Sequence, residues 1–339
     1  MRAVLNTALD TAAVPASSGD AVAFHRGLPG YAPTPVRQLE AVAAELGVAA
    51  VQVKDESSRL GLPAFKILGA SWAVERALRA EPAVHTLLAA SAGNHGRAVA
   101  RAAALRGLAC RVYLPERSLA VRRRAIAAEG AEVVVVDGTY EDAVEAAAHA
   151  ATEHGTALIA DVGDGGSPEW VIDGYATLFA ETAEQATYDL ILVPLGVGSL
   201  AAAAARHGAQ SGAQVIGVEP ATAACLSASL AHGAPTPVPT PGTTMAGLDC
   251  AKVSPAAWPS LRRGIAGTVI VSDDEADAAM RELSVSGLAI GESGAAPRAG
   301  LRALQRDEDC RVLREHLEID EQTIALLIAT EGTTGTHTS

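Results

Sequence analysis

The chain has 339 residues, 49% hydrophobic and 19% charged, which is enough to bury a core and excludes a disordered protein. Its formal net charge is -13 and it has no long run of Lys or Arg, so no nucleic acid or anionic membrane is expected as a partner. The four cysteines stand far apart without a Cys-x-x-Cys pair, which argues against a zinc site or a disulfide framework and favours buried free thiols.

The first twenty residues make a poor secretory signal, because Arg2 and Asp10 accompany only a mildly apolar stretch, and they are expected to form a loose N-terminal arm. The most apolar stretch, Leu190 to Ala205, is interrupted by Pro194 and two glycines. A membrane helix needs about 20 uninterrupted apolar residues, so no span is expected. The composition predicts a cytoplasmic protein with a small soluble substrate.

Short β-branched runs alternate with alanine-rich helical stretches. The predicted strand and helix pairs are Ala49–Val53 with Ala64–Arg79, Thr86–Ala90 with His95–Arg106, Cys110–Leu114 with Leu119–Glu129, and Val133–Val136 with Tyr140–Glu153. Further strands are predicted at Leu158–Ala160, Leu190–Val193, Val215–Val218, Thr268–Val271 and Thr323–Ile328. This alternation is typical of βαβ units and predicts an α/β fold of open parallel sheets, with a ligand cleft at the strand C-termini.

Lys66 is the first residue in the chain that suggests chemistry. It stands in the apolar segment Ala64–Leu68, at the start of an amphipathic helix. Desolvation and the positive end of the helix would both lower the pKa of its amine and make it nucleophilic. A lysine that extends its ammonium group to the surface accounts for this residue equally well.

The segment Ser91-Ala92-Gly93-Asn94-His95-Gly96 directly follows the second predicted strand. Backbone N–H groups at the start of a helix can hold a carboxylate, and Asn94 can donate to a ring hydroxyl. A helix cap with a locally hydrogen-bonded His95 would explain the same residues.

The segment Gly196-Val197-Gly198-Ser199-Leu200 connects a predicted strand to a helix. Its N–H groups can cradle a phosphate, although a short glycine turn alone is weak evidence. It is not a nucleotide fingerprint, because Ala201 stands where a third glycine would be required.

Thr330 follows the last predicted strand, in the run Thr330-Glu331-Gly332-Thr333. This position places a neutral hydroxyl group where it could contact the ring nitrogen of a ligand. By itself it is an ordinary strand end.

In this order, the lysine, the Ser-x-Gly-Asn-His-Gly loop, the glycine loop and the Thr-Glu-Gly end resemble fold type II pyridoxal-phosphate (PLP) enzymes, and more closely the diaminopropionate ammonia-lyase family. The resemblance begins at Phe24-His25, includes Asp173–Leu178 and Gly291–Ala295, and covers nearly the whole chain. The joint occurrence of the motifs is far more specific than any one of them.

The resemblance implies a role for each motif. Lys66 would carry PLP, Asn94 would hold its ring oxygen O3′, Gly196 to Leu200 would bind the phosphate and Thr330 would face the pyridine nitrogen. Ser91, Ala92, Gly93 and His95 would contact the substrate. The resemblance also implies a homodimer, with a large domain of residues 1–69 and 183–339 and a small domain of residues 70–182.

Three departures from the family affect the substrate pocket, one of which is that Ser58, Leu60 and Pro63 replace the Tyr, Phe and Asn expected near the lysine. Ala92 replaces a family aspartate that is associated with the substrate's β-amine and with the D-isomer, so an L-selective enzyme is expected. Asp161 matches a second family aspartate and could be the remaining carboxylate for base catalysis or β-amine binding, while a turn aspartate is the alternative. The loop that follows, Val162 to Pro168, is shorter than in the family and lacks its aromatics.

The resulting hypothesis is PLP-dependent β-elimination of ammonia from 2,3-diaminopropionate or a similar β-substituted amino acid, giving pyruvate and ammonia. A serine/threonine dehydratase-like or β-replacement enzyme is the alternative, because Ser-Ala-Gly-Asn-His resembles the dehydratase loop. A non-catalytic PLP-binding or amino-acid-binding protein is a third reading, which the retained Lys66 argues against.

Overall fold

A computed structural model describes residues 2–17 and 20–333, which form an α/β fold with two parallel sheets. Helices and strands are numbered here in chain order. The helices are Asp20–Arg26 (α1), Glu40–Leu46 (α2), Ile67–Ala80 (α3), Asn94–Leu105 (α4), Ala120–Ala127 (α5), Tyr140–Ala150 (α6), Gly166–Gln185 (α7), Ser199–Ser211 (α8), Cys225–His232 (α9), Trp258–Gly264 (α10), Asp273–Val285 (α11), Glu292–Arg306 (α12) and Arg311–His316 (α13). The strands are Ala3–Leu5 (β1), Val36–Gln38 (β2), Ala50–Asp55 (β3), Thr86–Ala90 (β4), Ala109–Pro115 (β5), Glu132–Val136 (β6), Thr156–Leu158 (β7), Leu190–Pro194 (β8), Gln214–Pro220 (β9), Gly267–Val271 (β10) and Ile324–Ala329 (β11).

The larger sheet has seven strands in the order β1-β10-β9-β8-β11-β3-β2. Its five inner strands are parallel, and the edge strands β1 and β2 pair antiparallel with β10 and β3. All of β8 is buried. A parallel strand covered by helices on both faces is apolar throughout, which is why β8 and β11 appear in the sequence as continuous apolar runs without alternation.

The smaller sheet has four parallel strands in the order β6-β5-β4-β7. Its strands β4 to β6 and the helices between them follow the predicted alternation. Helix α6 begins with a capping box, in which the Thr139 side chain accepts from Asp142 N–H and the Asp142 carboxylate accepts from Thr139 N–H. The two open parallel sheets that the sequence predicts are therefore confirmed.

One apolar core extends through both sheets. It joins Leu87 and Val112 of the smaller sheet to Ile191 and Leu326 of the larger one. Helix α7 packs on α3 so closely that a Cβ on Gly174 would lie 2.6 Å from the Leu68 carbonyl oxygen, which only glycine avoids. The predicted domain boundaries, at residues 69/70 and 182/183, fall inside α3 and α7, and the division into domains stays a prediction.

The N-terminal segment differs from the loose arm that the sequence suggested. Residues Ala3–Leu5 pair with β10, and Asn6 Nδ2 donates to the carbonyls of Arg262 (2.8 Å) and Ile265 (2.6 Å). A three-residue edge strand is too short to produce a recognisable pattern, and its pairing depends on a partner more than 260 residues away in the chain. The edge strand β2 was missed because it too has only three residues.

Strand β7 ends at Leu158, two residues before the predicted end at Ala160. Ile159 keeps one hydrogen bond to the sheet, from its N–H to the Leu88 carbonyl (2.8 Å), and the chain then leaves toward Asp161. Across residues 2–17 and 20–333, none of the helices combines the length and apolar character that a bilayer crossing requires.

Candidate active site

Lys66 lies at the carboxyl end of the larger sheet, directly before α3. The loop that leads to it runs beside the end of β11, because Phe65 N–H donates to the Thr330 carbonyl (3.2 Å) and Gly332 N–H donates to the Pro63 carbonyl (3.0 Å). Backbone pairing therefore brings the predicted lysine and the predicted threonine to the same place.

A buried ionic network fixes the loop between β3 and Lys66. Arg59 donates to Glu181 (2.6 Å) and to Glu56 (2.6 Å), and Lys54 donates to Glu181 (2.8 Å). These four side chains are at most 1% exposed. Burial would raise the pKa of Glu181, but the hydrogen bonds and charges of Arg59 and Lys54 outweigh it and lower that pKa to about 2. The network ties the Lys66 loop to α7, and the sequence analysis did not identify it.

Lys66 forms an ion pair with Asp161, with Lys66 Nζ 2.9 Å from Asp161 Oδ2. Burial alone would lower the pKa of Lys66, as the sequence suggested, but the electrostatic interactions with Tyr175 and Asp161 and the hydrogen bond to Asp161 raise it well above its usual value. The expected lowering is therefore wrong for this arrangement, because the local sequence does not reveal the carboxylate. The charge of Lys66 and its hydrogen bond hold the pKa of Asp161 far below its usual value, against the effect of burial.

His95 lies on the other side of Asp161. Its Nε2 is 2.8 Å from the Ile159 carbonyl, which can only accept, so Nε2 carries the hydrogen and Nδ1 has a free lone pair. Nδ1 is 3.8 Å from Asp161 Oδ2 and has no hydrogen-bond partner among the described residues. Burial lowers the pKa of His95, so the ring is neutral. Two proton acceptors, Asp161 Oδ2 and His95 Nδ1, thus stand side by side next to the Lys66 amine.

The loop after β4 brings the predicted substrate contacts to the same cleft. Ser91 and Ala92 are partly buried, and Gly93 is exposed and donates its N–H to Ser91 Oγ (3.3 Å). The loop folds tightly over the first turn of α4, since a Cβ on Gly96 would lie 2.1 Å from the Ser91 carbonyl oxygen.

Asn94, the first residue of α4, reaches across the cleft to the end of β11. Its Nδ2 donates to Glu331 Oε2 at 2.6 Å. Glu331 is 9% exposed, and burial raises the pKa of its carboxyl. It was not among the predicted site residues, although its place beside Thr330 was a signal that could have identified it. Thr330 itself is 5% exposed.

The glycine loop between β8 and α8 has the conformation expected of an anion cradle. Gly198 has a φ of +94°, and α8 begins at the next residue with no acidic side chain in its first turn. A Cβ on Gly196 would lie 2.9 Å from both the Gly247 carbonyl oxygen and Cys250 Sγ. Ser199 Oγ donates to the Asp161 carbonyl (3.1 Å), so the loop and Asp161 are held together.

Two tyrosines near the site were also missed by the sequence analysis. Tyr175 on α7 interacts electrostatically with Lys66 and Asp161, and burial raises its pKa to about 12. Tyr140, at the start of α6, lies near the same pair, and its hydroxyl donates to the Ala90 carbonyl (3.4 Å). Tyr175 lies in the segment Asp173–Leu178 that resembles the family, but neither residue was given a role, because both approach Lys66 only through helix packing.

The residues present fit PLP. A lysine, an asparagine amide, a helix start with free N–H groups and a buried threonine hydroxyl converge at one cleft, and the tight backbone at Gly196 leaves no room for a side chain. Among the described residues, no group of His, Cys, Asp and Glu side chains is arranged to bind a metal ion.

Comparison with known proteins agrees with this geometry. The profile of the family described as "Pyridoxal-phosphate dependent enzyme" matches residues 28–315. The chain is 33% identical to diaminopropionate ammonia-lyase of Salmonella typhimurium, over 93% of this chain and 89% of the relative.

A solved structure of diaminopropionate ammonia-lyase from Escherichia coli, in complex with an aminoacrylate-PLP azomethine reaction intermediate, superposes with a TM-score of 0.89 and 31% identity. The match covers 98% of this chain and 94% of that one. L-threonine dehydratase of Escherichia coli is 29% identical over 79% of this chain and 52% of its own length.

Proposed function

Because the chain belongs to the diaminopropionate ammonia-lyase family of pyridoxal-phosphate dependent enzymes, we propose that it eliminates the β-amine of 2,3-diaminopropionate. In the balanced reaction, diaminopropionate and one water give pyruvate and two molecules of ammonia. The observation that carries the proposal is the Lys66–Asp161 pair, 2.9 Å between Nζ and Oδ2, beside the lone pair of His95 Nδ1.

Five parts of the site would hold the cofactor. Lys66 would bind its aldehyde carbon, Asn94 its ring oxygen, and Thr330 would meet the ring nitrogen. The N–H groups at Gly196 to Leu200 would bind its phosphate, as helix starts bind anions. When bound, PLP supplies an electron sink for negative charge at the substrate's α-carbon.

The side chains around Lys66 would manage the protons. The Lys66 amine must be neutral to remove a proton from the substrate's α-carbon, and Asp161 Oδ2, at 2.9 Å, would stabilise the ammonium ion that Lys66 becomes when it has taken that proton. A β-ammonium group would find two acceptors, Asp161 Oδ2 and His95 Nδ1, separated by 3.8 Å. Holding the leaving nitrogen as a cation favours its departure as ammonia.

Ala92 supports a preference for the L-isomer. Its methyl group packs against the main core and can neither accept a proton nor pair with an amine. The family aspartate at this position is the group associated with the D-isomer, so Lys66 would be the base that remains, and it would act on the L-isomer.

A substrate comparison tests the proposal. Purified protein loaded with PLP is incubated with L- and D-diaminopropionate, L-serine and L-threonine, and pyruvate, 2-oxobutyrate and ammonia are measured, with Lys66→Ala as the inactive control. We expect pyruvate and two equivalents of ammonia from L-diaminopropionate. Faster turnover of serine or threonine would replace the proposal with the dehydratase alternative, which the Ser-Ala-Gly-Asn-His loop favours.

The stereochemical part has its own test. In Ala92→Asp a carboxylate is restored, and we expect turnover of D-diaminopropionate to rise at least tenfold while the L-isomer is still used. Ala92→Asn has the same shape without the charge and should not gain D-isomer activity. Normal D-isomer turnover by the wild type would overturn the L-selective part.

A homodimer, as the resemblance implies, is part of the same proposal. Sedimentation velocity at micromolar concentration should give a mass near twice the 34.4 kDa of one chain. A single species at the monomer mass would contradict it.

A further inference from the structure

Glu331 is a buried carboxylate that the proposed reaction does not use. It follows Thr330 at the end of β11 and is held between two backbone segments, through bridges of Ala64 with Glu331 and of Ile290 with Gly332. Its carbonyl also accepts from Gly291 N–H (3.0 Å), so the backbone at Glu331 is fixed at the strand end.

Gly291 and Ser293 lie beside the Glu331 side chain. A Cβ on Gly291 would lie 3.4 Å from Glu331 Cγ and 3.5 Å from Glu331 Oε1, at ordinary contact distance, so the Gly291 backbone packs against the carboxylate. Ser293 Oγ accepts from Gly247 N–H at 3.1 Å, which leaves its hydroxyl hydrogen to be donated to Glu331. Burial of such a carboxylate is stabilised only when donors are directed at it.

The second donor is Asn94, from the opposite side of the cleft. Its Nδ2 lies 2.6 Å from Glu331 Oε2. A carboxylate oxygen only accepts, so this contact fixes which end of the Asn94 amide is nitrogen and uses one of its two N–H groups. The other N–H remains available for a ligand in the cleft.

We propose that Glu331 is a positioning residue, which orients the Asn94 amide across the cleft and keeps one of its N–H groups for the ring oxygen of PLP. The inference rests on the proposed function, in which Asn94 holds that oxygen. Glu331 does not contact the reacting atoms; it acts through Asn94. Burial raises the pKa of Glu331, and the hydrogen bonds from Ser293 and Asn94 oppose this effect.

A double-mutant cycle on cofactor binding tests the inference. The dissociation constant of PLP and the pH midpoint of the bound cofactor's visible band are measured for wild type, Asn94→Ala, Glu331→Ala and the double variant. We expect Glu331→Ala to raise the dissociation constant about tenfold and to shift the pH midpoint in the wild-type background. In the Asn94→Ala background the same change should have less than a twofold effect.

Equal effects of Glu331→Ala in both backgrounds would overturn the inference and indicate a structural role. An unchanged dissociation constant in Asn94→Ala would instead remove Asn94 from the proposed site, and the inference with it. If Glu331→Ala does not fold, Glu331→Gln tests the inference instead, because its amide oxygen can still accept the hydrogen bond from Asn94. Glu331→Gln should bind PLP within threefold of wild type with an unchanged band, and a tenfold loss would contradict the inference.

Glu45→Ala is the matched control for lost stability. It removes a carboxylate that pairs with Arg298 (2.7 Å), away from the cleft. It should lower the melting temperature without changing the cofactor's dissociation constant or band. A similar change in cofactor affinity for Glu45→Ala would mean that general destabilisation explains the Glu331 result.

Discussion

Lys66 is an amine whose charge depends on residues distant in the sequence. Its own segment is apolar and would lower its pKa, yet Asp161 and Tyr175, from two later parts of the chain, raise it. In this structure the side chain is therefore an ammonium ion paired with Asp161. Catalysis by a neutral amine requires that this pair give up a proton, so the carboxylate should control the rate more than the binding of the cofactor.

Replacing Asp161 with asparagine tests whether the carboxylate controls the rate more than it controls the binding of the cofactor. The neutral amide keeps the shape of the side chain but cannot stabilise the ammonium ion that Lys66 becomes when it takes the α-proton, so we expect kcat for L-diaminopropionate to fall by about 100-fold. The dissociation constant of PLP should change less than threefold. Asp164→Asn is the matched control, because it makes the same substitution in the same loop at an exposed position. Its kcat should equal that of the wild type. A kcat within twofold of wild type for Asp161→Asn would remove Asp161 from the proton path.

At the scale of single elements, helices α1, α3, α7 and α8 hold the site by close backbone approach and buried polar contacts. His25 of α1 is fully buried between α3 and α7: its Nε2 is 2.9 Å from the Leu68 carbonyl and its Nδ1 is 2.7 Å from Thr177 Oγ1. At the start of α8, the backbone of the glycine loop passes against Gly247 and Cys250. Both contacts have consequences that can be measured.

Gly196→Ala should damage cofactor binding. The new methyl group would lie 2.9 Å from the Gly247 carbonyl oxygen and displace the loop whose N–H groups would hold the phosphate. We expect the dissociation constant of PLP to rise at least tenfold. Gly212→Ala is the control at the other end of α8; with φ at +84° and no neighbour within 4 Å of its Cβ, it should reduce stability and leave affinity unchanged. Equal affinities for Gly196→Ala and wild type would contradict the phosphate assignment.

His25 should make the protein less stable in mild acid. Burial lowers the pKa of His25 from 6.5 to about 4, so the folded state binds fewer protons than the unfolded state between these values. Stability is then full above pH 6.5 and is lost as the pH falls toward 4, by at most about 3 kcal/mol from this group. Urea unfolding of wild type and His25→Gln between pH 7 and 4 measures this loss of stability. The difference between the two proteins should change with pH, and a constant difference would rule out this origin.

On the scale of the whole molecule, the two sheets share one core, and the buried network of Lys54, Glu56, Arg59 and Glu181 joins β3, α7 and the Lys66 loop. The comparisons confirm the predicted family, the PLP cofactor and the fold type II architecture. The network ties the loop before Lys66 to α7.

Glu181→Ala should therefore destabilise the protein strongly. It leaves Arg59 and Lys54 buried with too little negative charge, and breaking such a pair costs about 3–5 kcal/mol. The free energy of unfolding in urea measures the effect. Glu184→Ala, one turn further along α7, removes a 59% exposed carboxylate paired with Arg26 and should cost less than about 1 kcal/mol. Similar losses for the two variants would contradict the role of the buried network.

By itself, the sequence determined the α/β class, most inner strands and the four segments that meet at the cleft. These features depend on local apolar runs and on motifs of a few neighbouring residues, which are visible without knowing what packs against them. It did not determine the short edge strands, the end of β7 or the charge of Lys66.

Only the tertiary structure decided which distant side chains meet. Glu331 joins Asn94 although 237 residues separate them, Asp161 joins Lys66 across 95 residues, and Arg59 joins Glu181 across 122. A single sequence does not specify these pairings, because each side chain has many possible partners until the sheets and helices have packed. Since pKa values and hydrogen-bond directions depend on the partner chosen, the electrostatics of the site was a result of the fold rather than of any motif.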